Sequence, residues 1–228
     1  MPEIGTVIVT GGASGLGAAV ARAVHQAGGT PVVLDLQEPS NGFEHDVVDL
    51  ADGRAAERAV DLVAARHGGL DAVVTAAGID ACGPLDRIEP ERWEKVIAVN
   101  LLGTVAVVRA ALPYLERSRG RVVTVASTLG LRGAADASAY CASKFGVIGF
   151  TRALATETAG RIGVTMLIPG GMDTSFFDGR DEEYKPPSDL RLAPPDDVAA
   201  SVLFTLQAPS GAEVREVLVA PASETSWP

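Results

Sequence analysis

The chain has 228 residues, 47% hydrophobic and 5% aromatic, enough for one sizeable α/β domain and short for two. A net charge of −10 and a pI near 4.8 provide no basic patch to neutralise phosphates, which argues against nucleic acid or an anionic membrane as partner. Two cysteines, Cys82 and Cys141, make no disulfide framework and match no metal-ligand spacing, and neither a leader pattern nor an apolar run of membrane-spanning length is present, so the expected compartment is the reducing cytoplasm.

Apolar, β-branched runs of strand length stand at residues 4–9, 31–34, 70–75, 121–125, 162–168 and 214–219. Helical patterns occupy 15–27, 51–67, 91–116, 139–158 and 196–206, with Pro113 expected to kink or end the third. Asp46-Val47 closes a short additional strand. The alternation predicts a single α/β domain over 1–228, a parallel sheet covered by helices on both faces. Residues 175–195 are irregular, with charges, four prolines and the Phe176–Phe177 pair, and are expected to cover a substrate.

Val7-Ile-Val-Thr-Gly11-Gly-Ala-Ser14-Gly15-Leu16-Gly17 runs from a buried strand straight into an amphipathic helix. This is the context of a pyrophosphate site: glycines turn the backbone tightly, and free amides at the positive helix end face the anion. A tight turn without a ligand is the competing interpretation. Asp35 weighs against it, standing 18 residues after Gly17 at the end of the second strand, where a carboxylate accepts from an adenosine ribose. An ordinary cap is the alternative for Asp35. A 2′-phosphate about 4 Å from that carboxylate costs about 1–4 kcal/mol per unit charge, and neither Ser14 nor Leu36 offers a cation in compensation. The expected cofactor is NAD(H).

Tyr140 and Lys144 lie one helical turn apart, 13 and 17 residues after Ser127. Moving a phenol from about 10 to about 7 requires roughly 4 kcal/mol. A cation about 4 Å away supplies roughly that much at the effective dielectric of a partly buried site. Taken singly, each residue has a bland role: a surface pair for Tyr140 and Lys144, a strand-end cap for Ser127, a backbone-bonding polar group for Asn100.

Taken together, these segments resemble the short-chain dehydrogenase/reductase family. Its Thr-Gly-x-x-x-Gly-x-Gly stands here as Thr10, Gly11, Gly15 and Gly17; its tyrosine and lysine match Tyr140 and Lys144; its serine matches Ser127; its asparagine matches Asn100; its Pro-Gly-x-x-x-Thr matches Pro169, Gly170 and Thr174. The resemblance implies a Rossmann doubly wound sheet of about seven strands in the order 3-2-1-4-5-6-7, in three α/β/α layers. It implies an NAD-dependent oxidoreductase that interconverts a secondary alcohol and a ketone. Tyr140 would be the acid/base, Ser127 would hold the reacting oxygen, and Lys144 would lower the phenol's pKa and grip the nicotinamide ribose. Asn100 would fix a water linking Lys144 to bulk. Pro169, Gly170, Met172 and Thr174 would border the nicotinamide, and Ala76, Ala77 and Gly78 would lie beside the cofactor. Asp46 and Val47 would line the adenine pocket, a turn cap being the alternative for Asp46.

Two departures from the family pattern stand out. Asn-Asn-Ala-Gly is replaced by Thr75-Ala76-Ala77-Gly78, which removes a sheet-bracing asparagine at an expected modest cost in stability, and the end of the chain, from Val219 to Pro228, lacks the Asp-Gly-Gly common in the family. Phe176 and Phe177 suggest an apolar wall for a neutral, fairly apolar substrate, hydroxysteroid-like or hydroxyacyl. Leu102, Val105, Ala106, Phe145, Ile148 and Gly149 could bury across a two-fold axis in a homodimer or homotetramer. The competing functions are a catalytically silent dinucleotide sensor or scaffold, and an NADP-linked ketoacyl or quinone reductase.

Overall fold

In the computed structural model, which describes residues 4–40, 42–209, 211–222 and 224, the chain alternates strand and helix almost throughout. It runs β1 (Thr6–Thr10), α1 (Gly15–Gln26), β2 (Thr30–Asp35), β3 (Glu44–Val47), α2 (Gly53–His67), β4 (Ala72–Thr75) and α3 (Pro90–Ile97). It continues with α4 (Thr104–Ser118), β5 (Arg121–Val125), α5 (Ser138–Glu157), β6 (Gly163–Pro169), α6 (Pro195–Leu206) and β7 (Glu216–Val219). The strands form one sheet in the order β3-β2-β1-β4-β5-β6-β7, each neighbouring pair parallel.

Alternation along the strands builds two cores. Ile8, Val32, Leu34, Val73 and Val122 face α2 and α4, whereas Val7, Val9, Val74, Val123 and Val125 face α1 and α6. Because both faces are covered, the central strands are continuous apolar runs, and their burial supplies about 1.5–3 kcal/mol per large side chain. The order reverses between β1 and β4, and a crevice lies at their carboxyl ends.

The helix expected over 91–116 is two helices joined by a π-helical stretch, Ala98–Gly103. Gly103 there passes so close to Leu50 that a Cβ would lie 2.7 Å from the Leu50 carbonyl oxygen. Pro113 does not end α4, which continues to Ser118. The whole stretch Pro90–Ser118 is long and apolar enough by composition to cross a membrane, contrary to the sequence expectation. Its Val107, Val108, Ala111 and Leu115 pack in the core with α2, which accounts for that apolar character. Of the residues considered for a two-fold interface, Ala106 and Ile148 are already buried within the chain, while Leu102 and Phe145 are exposed. The atypical C-terminal residues Ser223 and 225–228 lie outside the described residues.

Thr75, at the site of the missing asparagine, is buried, and its hydroxyl has no hydrogen-bond partner. An unpaired buried hydroxyl costs about 1–3 kcal/mol, and an isosteric apolar group does not. Thr75→Val is therefore expected to raise the free energy of unfolding by about 1 kcal/mol. Urea denaturation of the two proteins checks this, and an unchanged or lower midpoint would contradict it.

Candidate active site

The crevice opens into a cleft of about 1100 Å³ that runs from the end of β2, over the glycine turn, to the segment after β6. Its floor depends on two close approaches. Gly11 has φ +70°, and a Cβ on it would lie 2.7 Å from the Ala77 Cα. A Cβ on Gly17 would lie 2.2 Å from the Gly11 carbonyl oxygen. Only glycine lets α1 begin this close to β1. Ser14, the N-cap of α1, makes no side-chain capping bond, and the first turn of α1 carries no acidic residue. The positive helix end therefore faces the cleft with no competing carboxylate, which fits a pyrophosphate.

Asp35 Oδ2 accepts the Ala13 N–H and Oδ1 accepts the Gln37 N–H, both at 3.0 Å. It thus caps its own turn and braces the glycine loop. A carboxylate offers about four acceptor sites, so capacity for ribose hydroxyls remains. Asp46 and Val47 do not line the cleft. Asp46 pairs with Arg66 on α2 at 2.7 Å, and the cleft wall is formed instead by Val48, Asp49 and Leu50, two to three residues further on. The sequence holds two Asp-apolar pairs here, and only the register of β3 decides which one reaches the cleft.

Ser14, Gly15, Leu16, Leu36, Ala76, Ala77, Gly78, Pro169, Gly170, Met172 and Thr174 all line the cleft, as do Ser127, Tyr140 and Lys144. Ser127 follows β5, and Tyr140 and Lys144 project from the first turns of α5. The Ser127 hydroxyl hydrogen-bonds Tyr140, and Lys144 Nζ donates to the Val125 carbonyl at 2.8 Å. Asn100 sits behind the cleft in the π-helical stretch, a geometry common at functional sites. Its Oδ1 accepts the Ile79 N–H at 2.8 Å, and its Nδ2 donates to the Ile79 carbonyl at 2.9 Å and to Ser143 Oγ at 3.1 Å.

Electrostatics depart from the sequence expectation. Burial pushes the Tyr140 phenol up to about 12, the Ser127 hydrogen bond opposing it. Burial also pulls Lys144 down to about 8. Lys144 Nζ stands 5.6 Å from the Tyr140 ring centroid, and in the protein alone desolvation is the largest influence on the phenol.

The residues after β6 form a closed excursion. Met172 and Ala193 bridge its ends, with Asp173 N–H donating to the Ala193 carbonyl at 2.9 Å and Ala193 N–H to the Gly171 carbonyl at 3.0 Å. Within it, Phe176 lies 5.5 Å from the Tyr140 ring. Two residues that sequence reading passed over meet beneath it. Arg180 Nη2 donates to Asp80 Oδ2 at 2.7 Å, and the side chains are 17% and 8% exposed. Arg180 Cζ lies 4.9 Å from the Phe176 centroid and 4.7 Å from that of Phe177. Its Nη1 donates to the Tyr184 carbonyl at 3.2 Å, but its buried Nε–H has no acceptor, a cost of about 1–3 kcal/mol. The sequence signal was an arginine set among Asp178, Asp181, Glu182 and Glu183 in that loop.

The family model described as "short chain dehydrogenase" matches residues 5–185. An uncharacterized oxidoreductase of Staphylococcus aureus (strain MW2) is 32% identical over 226 residues, covering 94% of this chain and 96% of its own. A D-threitol dehydrogenase of Mycolicibacterium smegmatis is 34% identical over 220 residues, covering 86% and 84%. Among solved structures, the ligand-free aldohexose dehydrogenase of Thermoplasma acidophilum superposes with a TM-score of 0.84 at 26% identity, over 94% of this chain and 92% of its own. The alcohol dehydrogenase of Thermococcus sibiricus complexed with 5-hydroxy-NADP, at 24% identity and a TM-score of 0.83 over 94% and 95%, shares the fold.

Lys144 makes a stability prediction with a definite sign. Its folded pKa of about 8 lies below the ordinary 10.5, so the cost of burying its charge is present in full below about pH 8 and fades as the pH rises toward 10.5. That cost is about 3 kcal/mol, and losing the hydrogen bond to Val125 returns about 1. Lys144→Met is expected to be about 2 kcal/mol more stable than the wild type at neutral pH, with the margin shrinking above pH 8. Urea unfolding at neutral and at alkaline pH reads both parts, and a margin that grew with pH would contradict the assignment.

Proposed function

The chain belongs to the short-chain dehydrogenase family, and from that premise we propose that it is an NAD(H)-dependent oxidoreductase interconverting a secondary alcohol and its ketone. One observation carries the proposal: Ser127, Tyr140 and Lys144 converge on one end of a cleft whose other end is the glycine turn and Asp35. The dehydrogenase names of the relatives support the reaction class.

The nicotinamide, when bound, supplies the hydride acceptor or donor. In alcohol oxidation the hydroxyl of the substrate lies against Ser127 and Tyr140. The Tyr140 oxygen takes the hydroxyl proton as the carbinol C–H leaves as hydride; in ketone reduction it returns that proton to the oxygen. Ser127 holds the same oxygen through its hydroxyl. A phenol at about 12 is a poor base at neutral pH, so the cation of Lys144 must act on it within the closed complex, together with the positive charge of the oxidised ring. Asn100 Oδ1 and Lys144 Nζ both lie 3.7 Å from where a side chain on Gly78 would begin, so the two groups flank the same glycine, and a water fixed by Asn100 would carry protons to and from Lys144. Asp35, its charge set against a 2′-phosphate, supports NAD(H) over NADP(H).

Two substitutions test the proposal in one kinetic series. Asp35→Asn removes the charge while keeping the shape, and the NAD/NADP ratio of kcat/KM is expected to fall by about tenfold or more. An unchanged ratio would remove Asp35 from the choice of cofactor. Tyr140→Phe is expected to lose about a hundredfold or more in kcat while still binding NADH by fluorescence titration. Turnover near that of the wild type would show that the proton goes elsewhere.

A further inference from the structure

We propose that Arg180 and Asp80 together form the substrate-selecting element of this cleft, a donor–acceptor pair that recognises a neutral, polyhydroxylated substrate through a hydroxyl remote from the reacting carbon. This rests on the dehydrogenase reading above, and it replaces the fairly apolar substrate expected from the wall of Phe176 and Phe177.

Position comes first. Both residues line the same cleft as Tyr140, and both charges are felt at its phenol, Asp80 raising its pKa and Arg180 lowering it. The Tyr140 ring, the Phe176 ring tilted 54° to it, and the Arg180 guanidinium follow one another, with separations of 5.5 Å and 4.9 Å. The pair therefore stands one aromatic ring away from the group that would meet the reacting oxygen. A substrate whose reacting oxygen lies at Tyr140 would meet the pair with another part of its carbon chain.

Valence comes second. Asp80 Oδ1 accepts the Ala81 N–H, and Oδ2 accepts both Arg180 Nη2 and the Cys82 thiol. A carboxylate with about four acceptor sites keeps one of them. Arg180 has five N–H groups, of which the contacts to Asp80 and Tyr184 use two, and Nε–H is enclosed with no acceptor. A spare donor beside a spare acceptor matches a hydroxyl, which is both. A ketone or ester oxygen could use only the donor, and an alkyl chain neither.

Charge and shape narrow the class further. Arg180 and Asp80 cancel each other, and the other charged groups around this end of the cleft include Asp136, Asp178 and Glu183, which repel an anionic substrate. Lys185, also at the cleft, is paired with Glu182. The phenylalanine rings offer flat apolar faces to the C–H groups of a chain whose hydroxyls turn toward the ion pair, the arrangement of a largely apolar site oriented by a few polar groups. Stability alone does not account for the pair, since a buried ion pair is on average no more stabilising than apolar residues of the same volume.

The test compares erythritol and sorbitol with the secondary monoalcohols of the same chain lengths, with NAD+ as oxidant. Three proteins are used: the wild type, Arg180→Lys and the double variant Asp80→Asn/Arg180→Met, which leaves no buried charge unpaired. NADH binding is followed by fluorescence in parallel. In the wild type the polyols are expected to have the higher kcat/KM. In the double variant the polyol/monoalcohol ratio is expected to fall by about tenfold to a hundredfold, mainly through KM, with Arg180→Lys intermediate because it keeps the charge without the planar fork. A wild type that prefers monoalcohols, or a ratio that does not move in the double variant, overturns the proposal while leaving the dehydrogenase reading in place. A wild type that binds NADH yet oxidises none of these alcohols and reduces none of the matching ketones overturns that reading, and the proposal with it.

Discussion

The close passage of α1 over the end of β1 is the constraint on which the rest of the cleft depends. Gly17 lies against the Gly11 carbonyl with no space for even one methyl group, and Gly11 in turn lies against the backbone of Ala77. These contacts draw the ends of β1 and β4 together with the helix start, so the amides of the first turn, the small residues after β4 and the end of β2 share one surface. Asp35, by accepting from the Ala13 amide, ties the second strand to the same loop. A side chain at either glycine would move all of these at once, because each contact is to backbone and backbone in a close-packed layer has nowhere to yield.

The end of the cleft that holds Tyr140 and Lys144 depends on a different balance, between desolvation and charge. Placing Tyr140 and Lys144 in the first turns of a helix packed on the sheet buries Lys144 and partly buries Tyr140, which lowers the pKa of the amine and raises that of the phenol. The protein alone therefore holds the phenol protonated and the amine weakly basic. A buried lysine with one carbonyl for company destabilises the fold, and such a residue is retained where its charge acts on something brought into the cleft. Asn100 lies behind the cleft, against the same helix. Its three hydrogen bonds fasten the π-helical stretch to Ile79 and Ser143, so the loop after β4 and the helix bearing Tyr140 are positioned by one side chain.

The segment after β6 gives the cleft its third wall. Its ends are closed by backbone bonds near Gly171 and Ala193, and its middle is fastened by Arg180, which stacks on two phenylalanines and reaches Asp80 across the opening. That wall is thus polar and aromatic together, and its polar part comes from two loops far apart in the chain. That division, one end built by strand termini and the other by loops, follows from the parallel sheet, whose carboxyl edge exposes only connections.

The alternation of strands and helices, the glycine turn and the Tyr140–Lys144 spacing were legible in the sequence because each is a local property: periodicity sets the faces of an element, a turn sets its glycines, and one helical turn sets a four-residue spacing. The motifs in their order along the chain were enough to identify the family. The break at Ala98–Gly103 was not legible, because it depends on how closely Gly103 meets Leu50. Nor was the choice of Asp49 over Asp46 at the cleft wall, which is set by the pairing of β3 with β2 and by the Arg66 that claims Asp46. The meeting of Arg180 with Asp80, 100 residues apart, and the opposite pKa shifts of Tyr140 and Lys144 likewise belong to the tertiary structure. Pairing between distant segments and the exclusion of water are properties of the packed whole, and no window of sequence contains the distances that determine them.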